Sequence, residues 1–242
     1  MTDILVARNL RKTFGKLVVV DNLSFEVREG EILGLMGPNG AGKTTVFNLL
    51  TGILKPESGT ITFGGGDITW LSPSKRCRLG MGRTYQIPRP FGKMTLFENL
   101  LVAAVHGGGL KEREARVEVL EIMDLIGLHP LKDRLAGGLP LLDRKKLELG
   151  RALATRPKLI LLDEVAGGLT EAETEQVIGI VKEIQRQGIT ILWIEHILMM
   201  MSEGVDRLLV ISEGRWLHCG DPKEVMGSEE VLECYLGAEE EE

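Results

Sequence analysis

The sequence predicts an α/β fold: a parallel sheet that carries a glycine-rich loop and is interrupted by a run of helices. Three observations predict it. Short, continuous apolar runs recur at strand length, at Glu31–Met36, Leu159–Leu162, Ile189–Ile194 and Arg207–Ser212. Such runs are typical of strands buried on both faces. A glycine-rich segment separates the first of them from an apolar helix pattern. Between the first and second runs, charged and apolar residues recur at helical spacing instead.

The elements follow in order. Ile4-Leu5-Val6 and Leu17-Val18-Val19-Val20 are short β-branched runs, and Leu23–Val27 alternates, so the opening stretch is β-rich. Glu29-Gly30 turns the chain into the first buried strand. After the glycine loop, Val46, Phe47, Leu49 and Leu50 mark a helix ending near Gly52. From Pro88 to Gly138 the pattern is helical, most clearly over Lys111–Ile126. Leu141–Thr155 reads as a basic amphipathic helix and Glu171–Gln187 as a helix stopped by Gly188. The chain therefore divides at the sequence level into 1–87, a helical insertion over 88–150, and 151–242.

Composition narrows the function classes. At 242 residues, 43% hydrophobic and 26% charged, the chain suits one large or two small domains and excludes a disordered or fibrous one. The formal charge is −6, but Glu239 to Glu242 supply four of the acids, and the remainder carries −2 (29 against 31). That balance argues against a nucleic-acid partner. Trp70, Trp193 and Trp216 make no stacking array for bases. Cys77, Cys219 and Cys234 are odd in number and widely spaced, which fits a reducing compartment. No stretch approaches 18 uncharged apolar residues, and the N-terminus has no apolar core of signal-peptide length. A soluble, cytoplasmic chain is expected.

The strongest chemical signal is Gly37-Pro38-Asn39-Gly40-Ala41-Gly42-Lys43-Thr44-Thr45, which satisfies G-x-x-x-x-G-K-[ST], the P-loop. Its glycines let backbone N–H groups converge on phosphates. Lys43 adds positive charge, Thr44 can ligate Mg²⁺, and the following helix N-terminus adds its dipole. The second signal is the strand Leu159–Leu162 ending in Asp163-Glu164. Paired acids at such an edge suit the work of holding Mg²⁺ (Asp163) and of orienting or deprotonating a water (Glu164). A solvated strand end would look the same, but the P-loop about 120 residues earlier favours function. Ile194-Glu195-His196 ends another buried strand, where a neutral imidazole could meet a γ-phosphate. Gln86, in Arg83-Thr84-Tyr85-Gln86-Ile87-Pro88, lies where the sheet hands over to the helical insertion and could reach Mg²⁺ or water.

In this order and spacing, GPNGAGKTT, TYQ, LILLDE and IEH resemble an ABC-transporter ATP-binding subunit, and the resemblance spans essentially the whole chain. It implies a RecA-type P-loop NTPase core with an N-terminal antiparallel β subdomain and a helical insertion. It also implies ATP and Mg²⁺ as cofactors. Lys12-Thr13-Phe14-Gly15 resembles the segment whose aromatic stacks on adenine, which gives Phe14 that role. Arg83–Asn99, Ala166–Leu169 and the ending Glu233–Gly237 resemble branched-chain amino acid importer subunits. The implied partners are two membrane-spanning permease subunits, a second ATPase subunit and, indirectly, a solute-binding protein. The implied location is peripheral, on the cytoplasmic face of the membrane. Lipid or polysaccharide export and a non-transport role are the competing readings.

Three departures from the family pattern stand out. The signature pentapeptide, normally Leu-Ser-Gly-Gly-Gln, falls on Leu139-Pro140-Leu141-Leu142-Asp143, and the Gly137-Gly138 pair comes too early. Pro140 has no N–H to offer and reads as the first residue of a helix, while Asp143 brings negative charge near phosphate. Val165 replaces the usual Pro after the acids, and Thr170 replaces the Asp that closes the next loop. An intact P-loop beside a damaged signature leads to the expectation of an asymmetric heterodimer. Among weaker features, Lys75-Arg76-Cys77-Arg78 with Arg83 reads as a solvated basic face or a contact with a permease loop. Met199–Met201 reads as helix packing, and Gly107–Gly109 as a joint in the insertion.

Overall fold

The computed structural model describes residues 2–195 and 198–239. The chain divides into two compact units, Met1–Arg76 with Thr190–Glu242, and Cys77–Ile189.

The first unit opens with β1 (Asp3–Phe14), β2 (Leu17–Arg28), β3 (Ile32–Met36), α1 (Lys43–Thr51), β4 (Ser58–Phe63), β5 (Gly66–Asp67) and α2 (Pro73–Arg78), whose last residues cross into the second unit. That unit contains β6 (Met81–Arg83), α3 (Leu96–His106), α4 (Glu112–Leu125), α5 (Leu141–Leu153), β7 (Leu159–Asp163) and α6 (Glu171–Arg186). The chain then returns to the first unit with β8 (Thr190–Ile194), α7 (Leu198–Gly204), β9 (Arg207–Ser212), β10 (Arg215–Gly220), α8 (Pro222–Met226) and α9 (Glu229–Glu239).

In the first unit an antiparallel sheet runs β2-β1-β4-β5. The two runs expected at 17–20 and 23–27 are one 12-residue strand, β2. Pairing with β1 carries the ladder through Asp21-Asn22: Asn22 takes a left-handed φ of 52°, and the register shifts between the Leu10↔Leu23 and Lys12↔Val20 pairs. Asparagine tolerates that conformation, so the break becomes a bulge. A second sheet has β3 at its centre, parallel to β8 on one side and to β9 on the other. β10 closes it antiparallel to β9. Every residue of β3 and β8 is buried, as the continuous apolar runs require. Gly34 leaves room there for the buried Met201 of α7.

In the second unit β6 and β7 pair in parallel, Met81 opposite Leu159 and Arg83 opposite Leu161. α3 and α6 begin with capping boxes, Thr95 with Glu98 and Thr170 with Glu173. The Thr170 departure thus has a local structural use, since its hydroxyl accepts from the Glu173 N–H and its own N–H donates to the Glu173 carboxylate. Val165 is buried. Pro140 is the cap residue before α5 rather than its first residue.

The basic cluster corrects one expectation. Lys75 and Arg78 are exposed, but Arg76 is 1% exposed and is no part of a solvated face. Its Nη1 donates to the Leu49 and Leu50 carbonyls (2.7 and 2.5 Å), its Nη2 to Thr69 O (2.8 Å) and its Nε to Leu71 O (3.2 Å). Leu49 and Leu50 lie in the last turn of α1, so the guanidinium caps that helix end, where a cation is favoured. Burial lowers the Arg76 pKa to about 10. Removing it strands several buried carbonyls. Arg76→Met is therefore expected to cost about 3–5 kcal/mol, against less than about 0.5 for Arg78→Met, measured as denaturant midpoints of the two variants.

Candidate active site

The glycine loop joins β3 to α1 in the first unit. Its shape is dictated by backbone packed on backbone. A Cβ on Gly37 would lie 2.1 Å from the Ile211 carbonyl oxygen, and one on Gly42 (φ 96°) 2.6 Å from that of Val19. Neither position admits a side chain. The Gly214 N–H donates to Ala41 O (3.1 Å), and the Lys43 ammonium spans the turn to the Gly37 and Pro38 carbonyls (2.6 and 2.9 Å). Asn39, Gly40 and Thr44 are exposed, while Gly42, Lys43 and Thr45 are half-buried. α1 has no side-chain cap at its start and no acidic residue in its first turn. Its N-terminal dipole is therefore not offset by a side chain of its own cap or first turn, the arrangement that favours a phosphate. Phe14, at the end of β1, exposes about half its surface, and the Lys12 ammonium lies 5.6 Å from its ring centre.

The carboxylates belong to the second unit. β7 is buried along its length and delivers Asp163 at its end. Asp163 Oδ2 accepts from Arg83 Nη2 (3.0 Å), and its backbone N–H donates to Thr84 Oγ1 (3.1 Å). Burial pushes its carboxyl pKa up, and the Arg83 guanidinium pulls against that shift. Glu164 turns the chain away from the strand with φ 44°, an unusual conformation for a glutamate. Its Oε2 accepts from the Gln86 side-chain amide. Gln86 and Glu164, singled out separately in the sequence, are thus in direct contact. His196 lies outside the described residues.

Sequence reasoning missed Lys145. This lysine of α5 is 5% exposed, and its Nζ donates to the carbonyls of Gln86 (2.8 Å) and Glu164 (2.9 Å). The available signal was its register: Lys145 shares a helical face with Leu149 and Ala152, so a charged residue stands where the apolar pattern calls for burial. Arg83 was placed in the solvated basic cluster; it is paired with Asp163 instead. A cleft of about 580 Å³ in this unit is lined by Tyr85, Gln86, Ile87, Arg89, Glu148 and Arg151, together with Asp163.

The donor types suit Mg²⁺. Among the described residues no cluster of three or more His, Cys, Asp or Glu could hold a metal by itself. Each unit carries oxygen donors of the kind Mg²⁺ takes beside phosphates and water: the Thr44 hydroxyl in the first, the Asp163 carboxylate and the Gln86 amide in the second. The signature region is also clear. Leu139-Pro140 leads into α5, whose first residues are Leu141, Leu142 and Asp143. Gly137 belongs to a short turn over Ala136–Gly138, where its N–H donates to Gly92 O (3.0 Å). Gly137 packs on Gly92, Gly138 is exposed, and neither stands at the helix start.

Comparison with known proteins places these features. A family model described as ABC transporter matches residues 20–167. The high-affinity branched-chain amino acid transport ATP-binding protein LivG of Salmonella typhimurium is 39% identical over 97% of this chain and 98% of its own. The lipopolysaccharide export system ATP-binding protein LptB of Haemophilus influenzae is 32% identical over the same shares. The solved ADP conformation of an ATP-binding cassette of an ABC transporter superposes with a TM-score of 0.91 at 34% identity, covering 98% of this chain and all of that one. The chain belongs to the ABC transporter family, as one of its nucleotide-binding ATPase subunits coupled to transport.

Proposed function

We propose that this chain hydrolyses ATP to energise uptake of branched-chain amino acids or related small polar or organic-acid solutes. The observation that carries the solute class is its 39% identity to LivG over nearly all of both chains. The export reading rests on a more distant relative, LptB, at 32%. The proposed location is the cytoplasmic face of the membrane, held there by partners. Among the described residues no helix is long and apolar enough to cross a membrane.

In this reading Gly37, Pro38, Asn39, Gly40, Ala41, Gly42 and Thr45 wrap the phosphates, Lys43 neutralises them, and Phe14 stacks on adenine. Thr44, Gln86 and Asp163 would hold Mg²⁺, which supplies positive charge to the β- and γ-phosphates when bound. Glu164 accepts the proton of the attacking water, and His196 contacts the γ-phosphate. Support comes from the loop's closure to a Cβ at Gly37 and Gly42, the α1 start without a side-chain cap or first-turn acid, and the contact between Gln86 and Glu164. Glu164→Gln is expected to lower kcat by about 10²–10⁴-fold with nucleotide still bound. Lys43→Ala is expected to lose nucleotide binding itself, read with a fluorescent ATP analogue.

Two permease subunits and a second ATPase subunit complete the proposed complex, with a solute-binding protein acting through the permeases. The cleft lined by Tyr85, Ile87, Arg89, Glu148 and Arg151 combines exposed apolar surface with charge, a composition suited to a permease loop. The Leu139–Asp143 region supports an asymmetric pairing. Each ATP site in such a dimer joins one chain's P-loop and carboxylates to the other's signature. This chain contributes sound catalytic groups and a signature without a serine or glycine at the start of α5. Glu164→Gln here is expected to reduce turnover of the complex far more than the equivalent partner substitution; equal losses would sink the asymmetry. Uptake of radiolabelled leucine should disappear on deletion of the gene and return with the wild type but not with Glu164→Gln.

A further inference from the structure

We propose that Lys145 is a positioning residue for hydrolysis, holding the backbone on either side of the Gln86–Glu164 contact to helix α5. The proposal rests on reading Glu164 as the group that activates water. Three observations carry it.

The first is burial. An ammonium kept from water is costly unless its donors are used. Lys145 is 5% exposed, and two of its donors go to Gln86 O (2.8 Å) and Glu164 O (2.9 Å). These carbonyls lie 59 and 19 residues from the lysine in sequence. A single side chain therefore joins the segment after β6, the turn after β7 and α5.

The second is the backbone of Glu164. A glutamate at φ 44° persists only where its surroundings enforce the conformation, and such residues cluster at functional sites. Besides Lys145, the Gly167 N–H reaches the same carbonyl, at a longer 3.3 Å. Lys145 is the charged member of that clamp.

The third is the Gln86 amide on Glu164 Oε2. The two side chains meet only if their backbones keep their spacing, and that spacing is what Lys145 bridges. Because α5 begins with Leu141, Leu142 and Asp143, the same helix that carries the altered signature region also carries this clamp, about one turn on. A displacement of the start of α5 is thereby conveyed to the carboxylate. Methionine in place of Lys145 would fill the volume without donating to either carbonyl.

The test uses the complex purified through a tag on the full-length chain. Lys145→Met is expected to lower kcat for ATP by about 10–100-fold while KM for ATP changes less than about twofold, since a small misplacement of a reacting group costs turnover rather than binding. Lys145→Gln, which keeps a donor, is expected to recover part of the loss, and it replaces the Met variant if that one does not fold. In a Glu164→Gln background Lys145→Met should add less than about twofold, because both changes act on one group. Unchanged kcat, a joint fall of kcat and nucleotide affinity, or full additivity with Glu164→Gln each overturns the proposal. If Glu164→Gln itself leaves turnover intact, the reading of Glu164 falls and the proposal with it. Turnover that depends on Glu164 and ignores Lys145 removes the proposal alone.

Discussion

Backbone pressed against backbone at the glycine loop is the constraint on which the first unit depends. The Ile211 and Val19 carbonyls occupy the space that side chains at Gly37 and Gly42 would need. Those carbonyls belong to β9 and β2, so the loop is shaped by a parallel strand and by the antiparallel sheet at once. The same turn receives a hydrogen bond from Gly214, between β9 and β10. Close approach of this kind keeps side chains out of the loop at those two positions. It also explains why the strand before it must be buried on both faces, since β3 is the element from which the loop is launched. Arg76 completes the arrangement from the far end, holding the last turn of α1 through the Leu49 and Leu50 carbonyls.

The second unit is organised by buried charge. Arg83 meets Asp163, Arg151 meets Glu148, and Lys145 meets two carbonyls. Each of these groups would be costly alone; Arg83 and Lys145 find their partners on other elements, whereas Arg151 and Glu148 pair within α5. Such pairs add little net stability compared with apolar packing, but they fix geometry. Around Glu164 that geometry includes an unfavourable backbone conformation, held in part by Lys145.

For a transport ATPase, these features divide the labour within one chain. One unit carries the glycine loop proposed to hold phosphate; the other carries the carboxylates, the amide that touches one of them, and the cleft proposed to meet a permease. In the proposed pairing, the altered residues around Pro140 fall on what the chain would lend to a second ATPase subunit, not on its own proposed catalytic groups.

The sequence by itself determined the fold class and most of the candidate site. The P-loop spacing, four apolar runs of strand length and the helical middle are local patterns, and local patterns survive without tertiary knowledge. The acids at the end of β7 were legible because a buried strand must end where its ligands begin. Only the tertiary structure decided which charged residues are surface and which are wiring. Arg76 and Arg83 look alike in sequence to Lys75 and Arg78, and the register of Lys145 on α5 signals its burial but not its partners. Their partners include groups 19 to 80 residues away, and long-range pairing of that kind leaves no periodic trace. Likewise, the chain order of Asp21-Asn22 signals a break, and only the neighbouring β1 turns it into a bulge.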